Sequence, residues 1–265
     1  MNQARSTATI VFDIDGVIRD VGNSYRKAIA DTVEEFTQGG WRPTMEDLDN
    51  LKSEGIWNND WEASQELTYR YFEAMNRSRA EVNLNYDEIV DYFQGRYRGK
   101  HPELFDGYIA DEPLLASPTY FQQLKDRGIN YGFFSGATRG SAEFVLKHRL
   151  QLEDLVLIAM EDAPSKPNPQ GLFDTLTQLN TAPDISTLYV GDTVADMYTI
   201  QRARERRPDS SWIAIGVLPP HVQTSKARQS DYAQKLLAAG AEIVLSNVEK
   251  LNFTLIEELT LDRKV

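Results

Sequence analysis

The segment Ile10-Val11-Phe12-Asp13-Ile14-Asp15-Gly16-Val17-Ile18-Arg19-Asp20, IVFDIDGVIRD, sets two carboxylates directly behind an apolar run. With the residue before it, that run reads as a buried strand over Thr9–Phe12. Negative charges are costly at the end of a buried strand unless chemistry or a counter-charge requires them. Asp13 and Asp15 therefore read as functional groups, with Gly16 letting the backbone turn away behind them.

Further strand-like runs occur at Asn130–Phe134, Leu155–Met160, Thr187–Val190, Trp212–Val217 and Glu242–Leu245. From Ala116 onward they alternate with helical patterns at Pro118–Arg127, Gly140–Leu150, Gln170–Leu179 and Ala195–Arg206. Such alternation predicts right-handed βαβ units, hence an α/β fold with a doubly wound parallel sheet covered on both faces. Between Gly22 and Asp111 the pattern changes to long amphipathic stretches, such as Asn23–Gln38 and Ala63–Met75, with many aromatic residues. The reading is a sheet domain made of residues 1–20 and 112–265, interrupted by a mostly helical insertion over 21–111. Two crossings of the chain between them imply a hinge.

The bulk numbers restrict the function. The formal net charge of −12 argues against a nucleic-acid backbone or an anionic membrane as partner, because both would be repelled. There is no cysteine, which removes thiolate catalysis and Cys-based metal sites. His101, His148 and His221 are too widely spaced to suggest a histidine metal cluster and read as surface or packing residues. The N-terminal MNQARSTATIVF resembles neither a secretory signal nor a membrane span, so a cytoplasmic protein is the expectation, with no obligate protein partner inferred.

Four polar clusters each follow a predicted strand: Asp13 and Asp15, then Ser135-Gly136, then Lys166 in PSKPNP, then Asp192 and Asp196 in GDTVAD. In an open parallel sheet the crevice beyond the carboxyl ends of the strands is where ligands bind, and all four clusters belong to that edge. The acidic set offers hard oxygen ligands and no soft ones, which suits Mg2+. Lys166, the Ser135 hydroxyl and the loop amides add positive charge and donors, a receptor for a phosphoryl group. Asp13 then reads as a nucleophile at phosphorus, and Asp15 as the acid that protonates the leaving oxygen and later activates water. An EF-hand-like calcium loop is excluded, because Gly16 is fourth from Asp13 and Ser24 stands at the twelfth position where Glu is needed.

On these four stretches the chain resembles the haloacid dehalogenase superfamily, as a phosphatase-type member with a helical cap inserted after the first motif (subfamily I). DIDGV matches the first motif, FFSG the second, Lys166 in SKPNP the third and GDTVAD the fourth, in order along the sheet domain. The resemblance implies a Rossmann-like core, Mg2+ and an aspartyl-phosphate intermediate. It makes Asp13 nucleophile and metal ligand, and Asp15 acid/base with its carbonyl on the metal. Ser135 and Lys166 would hold the phosphoryl group, and Asp192 the metal. Asp196 is either a metal ligand or a partner of one. Gly136 stands where Asn is common, which leaves a side-chain contact near the phosphoryl site in question. Asp15 separates phosphatases and phosphomutases from dehalogenases, which lack an aspartate two residues after the nucleophile.

The expected function is a Mg2+-dependent phosphatase acting on a small phosphorylated metabolite. A phosphomutase on the same site, or a non-catalytic binding protein, is the alternative. Sugar phosphates, phosphoglycolate-like acids and amino-alcohol phosphates all remain open. In the insertion, GIWNNDW over Gly55–Trp61 reads in two ways. Trp57 and Trp61 could form the core stripe of one helix, or Trp57, Asn58 and Asn59 could meet a hydroxylated substrate. Lys52 is a weaker candidate, and Arg19 and Arg26 could meet a substrate anion or be salt-bridged. The run Arg202, Arg204, Arg206 and Arg207 reads as cations at a helix C-terminus.

Overall fold

The computed structural model describes residues 8–57, 59–101 and 104–261. Two compact units emerge: Met1–Asp20 with Leu114–Val265, and Val21–Pro113. The first unit opens with strand β1 (Thr9–Phe12).

The second unit is helical: α1 (Tyr25–Phe36), α2 (Met45–Ser53), α3 (Asp60–Ala74) and α4 (Tyr86–Tyr97). Helices α1, α3 and α4 pack on one another. The buried positions Ile29 and Val33, Ala63 and Leu67, and Ile89, Phe93 and Tyr97 recur every four residues, so each helix turns one apolar stripe inward. Helix α3 begins at Asp60, leaving Trp57 outside it, so Trp57 and Trp61 do not share one helix. The reason is local: the Asn59 side chain accepts from the Trp61 and Glu62 amides at 2.9 and 3.3 Å and starts the helix there.

Back in the sheet unit the chain runs α5 (Pro118–Asp126), β2 (Asn130–Phe134), α6 (Arg139–Glu143), β3 (Leu157–Ile158), α7 (Gln170–Gln178), β4 (Thr187–Gly191), α8 (Val194–Arg206), β5 (Trp212–Val217), α9 (Lys226–Ala238), β6 (Ile243–Leu245) and α10 (Phe253–Leu261). After Glu143 the helix continues in π geometry over Phe144–Arg149. Among the described residues the strands form one parallel sheet of order β3-β2-β1-β4-β5-β6. This is the doubly wound Rossmann-like order. The connections leave β1 in opposite directions, so the crevice opens between β1 and β4.

Alternation along the strands divides the core. Ile10, Phe12, Phe133, Leu188, Val190, Ile213 and Ile215 face one layer with Phe121 and Leu146. Val11, Phe134, Tyr189 and Ala214 face the other with Leu172, Met197 and Ile200. A period of two on a sheet covered on both sides makes each strand a continuous apolar run, which is why the strands were legible.

Candidate active site

The Asp13 amide donates to the Val190 carbonyl at 2.8 Å, extending the β1–β4 register by one residue beyond Phe12. That bond brings Asp13 beside the end of β4, from which Gly191 leads to Asp192. The loop leaving β1 passes close enough that a Cβ on Gly16 would stand 2.1 Å from Asp192 Oδ2, and Gly16 has a φ of +75°. Both constraints require glycine. Asp13, Asp192 and Asp196, all buried, each place one carboxylate oxygen within 4.8 Å of the others.

Lys166 joins this set from the loop after β3. Its ammonium lies 2.8 Å from Asp13 Oδ1 and 2.8 Å from Asp196 Oδ1. The rings of Phe134 and Tyr189 lie 5.3 and 5.7 Å from the same nitrogen, a cation–π setting in a desolvated place. Asp196 is fully buried. Its Oδ1 also accepts from the Tyr189 hydroxyl at 2.9 Å, and its Oδ2 accepts from the Thr193 amide and hydroxyl at 3.0 and 2.6 Å. Thr193 in return accepts from the Asp196 amide, completing a capping box at the start of α8. Both oxygens of Asp196 are thus engaged in capping the helix and anchoring Lys166.

Burial dominates the electrostatics. It pushes the Asp13 carboxyl up to about 7, against the opposing pull of Lys166 and helped by the charges of Asp196 and Asp15. Asp196 also resists ionisation through burial, yet Lys166 and the Thr193 hydrogen bonds outweigh that and hold it below the usual carboxylate range. For Lys166 burial favours the neutral amine, and the two flanking carboxylates reverse the balance and keep it charged. A site with one surplus buried carboxyl is short of positive charge. Its all-carboxylate donors fit a hard divalent cation such as Mg2+, which would draw Asp13 back to its ionised form.

The remaining sequence candidates fall as follows. Asp15 lies in the turn behind Asp13, and its Oδ1 accepts from Arg19 Nε at 2.6 Å. Ser135 is buried at the end of β2, its amide donating to Ile158 at 3.0 Å and its hydroxyl accepting from the Ala137 amide at 3.1 Å. A Cβ on Gly136 would meet nothing within 4 Å, so that position borders open space. In the helical unit Asn59 caps α3, and Trp57 Nε1 donates to Glu54 at 2.8 Å. Asn58 lies outside the described residues. Lys52 pairs with Asp60 at 2.7 Å and Arg26 with Asp49 at 2.8 Å, both within the helical unit. Arg204 pairs with Glu242 near the end of α8, as a cation at a helix C-terminus should.

The sequence marks Tyr189 only as part of a strand, and its place beside Asp196 is visible only in the structure. A tyrosine in the middle of a strand buried on both faces is the signal that was available, because its hydroxyl needs a polar partner inside.

A model of the haloacid dehalogenase-like hydrolases matches residues 7–204. The imidazoleglycerol-phosphate dehydratase of Phytophthora nicotianae is 30% identical over 250 residues, 92% of this chain and 51% of that protein. The chain therefore spans about half the length of that curated relative. Among solved structures, a phosphonoacetaldehyde hydrolase-like protein from Oleispira antarctica superposes with a TM-score of 0.67 at 17% identity, covering 99% of this chain and 95% of that one. The β-phosphoglucomutase of Clostridium difficile gives 0.62 at 16% identity, covering 97% and 98%. Those two likenesses are of fold. Sheet order, motif order and the match over most of the sheet unit agree, and the chain belongs to the haloacid dehalogenase-like hydrolase family.

Proposed function

We propose that this hydrolase is a Mg2+-dependent phosphatase of small phosphomonoesters, working through an aspartyl-phosphate on Asp13. The observation that carries the reading is the contact of Lys166 with both Asp13 and Asp196 beside Asp192, at the mouth of the β1–β4 crevice. A buried carboxylate flanked by a fixed ammonium is arranged to receive a phosphoryl group, whose equatorial oxygens need that positive charge. Asp13 and Asp192 are the residues that would hold Mg2+, which when bound neutralises phosphoryl charge.

In the first step an Asp13 oxygen attacks phosphorus, the bond from phosphorus to the leaving oxygen breaks, and Asp15 delivers its proton to that oxygen. In the second, Asp15 takes a proton from water as the water oxygen attacks phosphorus. The acyl-phosphate bond breaks, Asp13 is regenerated and inorganic phosphate leaves. Lys166 and the Ser135 hydroxyl bind the phosphoryl group throughout. The helical unit takes the role of a cap that selects the leaving group.

A small phosphorylated metabolite suits the net charge of −12 better than nucleic acid or a membrane surface. Among the described residues no helix is long and apolar enough to cross a membrane. The Phytophthora relative is named for imidazoleglycerol phosphate, so imidazole-bearing and polyol phosphomonoesters are the first substrates to try.

The test is phosphate release from a panel of phosphomonoesters, in Mg2+ and in EDTA, with Asp13→Asn alongside. Turnover that needs Mg2+ and disappears in the variant supports the proposal. Turnover that survives in Asp13→Asn rejects it, and isomerisation of a sugar phosphate without phosphate release would make the enzyme a mutase.

A further inference from the structure

Among the described residues Arg19 is the largest side chain that is fully enclosed, at 0% exposure. It sits six residues after the proposed nucleophile, in the turn that carries Asp15. Its backbone closes that turn: the Arg19 amide donates to Ile14 at 3.2 Å and its carbonyl accepts from Gly16 at 2.9 Å. Arg19 also bridges Leu114 in antiparallel fashion, and the Leu115 amide donates to Ile18 at 2.8 Å. From this clasped backbone the guanidinium reaches back over the turn. Nε donates to Asp15 Oδ1 at 2.6 Å, and another guanidinium nitrogen donates to the Ser141 hydroxyl at 3.1 Å. Ser141 is itself buried on α6, the helix that follows β2.

The burial of this pair is lopsided. The Arg19 side chain is 0% exposed while that of Asp15 is 26% exposed. A salt bridge that served packing alone would enclose both partners, since a desolvated guanidinium is costly and gains most from a desolvated carboxylate. Here the enclosed cation holds Oδ1 of a carboxylate whose side chain stays partly exposed. A planar guanidinium held at a second point by a serine fixes orientation as well as charge.

We propose that Arg19, anchored by Ser141, is the positioning residue for Asp15, and that the proton Asp15 exchanges is carried on Oδ2. This rests on the reading of Asp15 as acid and base. Oδ1 is occupied by the Arg19 N–H, so the hydrogen given to the leaving oxygen, and later taken from water, resides on the free oxygen. A carboxyl group released to rotate would spend most of its time misaligned, and misplacements of that size cost about 10²-fold in rate.

The variants are Arg19→Lys and Ser141→Ala, with Asp15→Asn as reference, each assayed in Mg2+ on glycerol phosphate and on 4-nitrophenyl phosphate. An alkoxide leaving group needs the proton and a nitrophenolate does not. Arg19→Lys should therefore lose about 10²-fold in kcat on the alkyl ester with KM changed less than about threefold, while the pre-steady-state burst of nitrophenolate keeps its rate within about threefold. Ser141→Ala should show the same pattern at about tenfold, and it carries the test alone if the buried lysine variant does not fold. In the Asp15→Asn background Arg19→Lys should cause no further loss, because both act through one group. Equal losses on the two substrates, no loss on either, a faster alkyl reaction, or additive losses in the double variant would overturn the proposal. Asp15→Asn retaining full activity on the alkyl ester would instead overturn the reading of Asp15, and the proposal with it.

Discussion

Lys166 shows how much of this site is carried by single charges. Its ammonium lies between two buried carboxylates, and in the proposed reaction it is the fixed cation for a phosphoryl group. Lys166→Met should reduce kcat on any phosphomonoester by about 10³-fold, the cost of losing a transition-state donor, measured under saturating Mg2+. Asp13 makes a pH-dependent prediction of definite sign. Its carboxyl, raised from 3.8 to about 7, holds a proton in the metal-free folded protein that the unfolded chain has already released. That contribution to stability is complete below pH 3.8 and is lost as pH rises through about 7. Asp13→Asn should therefore raise the melting temperature of the metal-free protein more at pH 8 than at pH 5. Mg2+ binding needs the carboxylate, so affinity should fall as pH drops below about 7. Isothermal titration in two buffers of different ionisation enthalpy would register the released proton.

At the level of the element, two helix starts carry different duties. The first turn of α8 combines capping with the site, since Asp196 closes the capping box with Thr193 on one oxygen and holds Lys166 with the other. An acidic residue in the first turn of a helix and a site residue are the same aspartate here. Helix α3 is capped by Asn59 for a purely local reason visible in its hydrogen bonds. Asn59→Ala should cost about 1 kcal/mol in chemical denaturation, the usual worth of an N-cap side chain. Activity then separates the two expectations for this residue: unchanged kcat/KM makes it a cap alone, and a fall beyond the stability loss gives it a substrate contact too. Of the two readings of Trp57 and Trp61, the shared helix fails because the i, i+4 spacing is blind to where a helix begins.

Across the whole molecule, β1 is the strand on which the sheet unit is built, with neighbours on both edges and apolar layers on both faces. Phe12 lies in the first layer against Phe121 and Phe133, with ring centroids 5.8 and 5.9 Å away. Phe12→Ala should cost about 3–5 kcal/mol, read as a shift in the urea midpoint, because a filled layer cannot collapse into the space. The strands, the α/β class and the four motif stretches were legible in the chain, since a strand buried on both faces must be a short apolar run and its carboxyl end must turn polar where a ligand binds. Strand β3 was read as longer than Leu157–Ile158, because apolar residues continue past the last backbone pairing. Helices α2 and α4 fall inside the stretch that the sequence marks as mostly helical, without bounds of their own, whereas α9 and α10 lie beyond the helical patterns the sequence offers. The sequence by itself determined which residue types stand at the strand ends, and so the chemistry available there. Only the tertiary structure decided their distant partners: Lys166 between Asp13 and Asp196, and Ser141 on Arg19. The physical reason is that a strand or turn specifies direction locally, whereas contacts between residues far apart in the chain depend on register and layer packing, which no local pattern encodes.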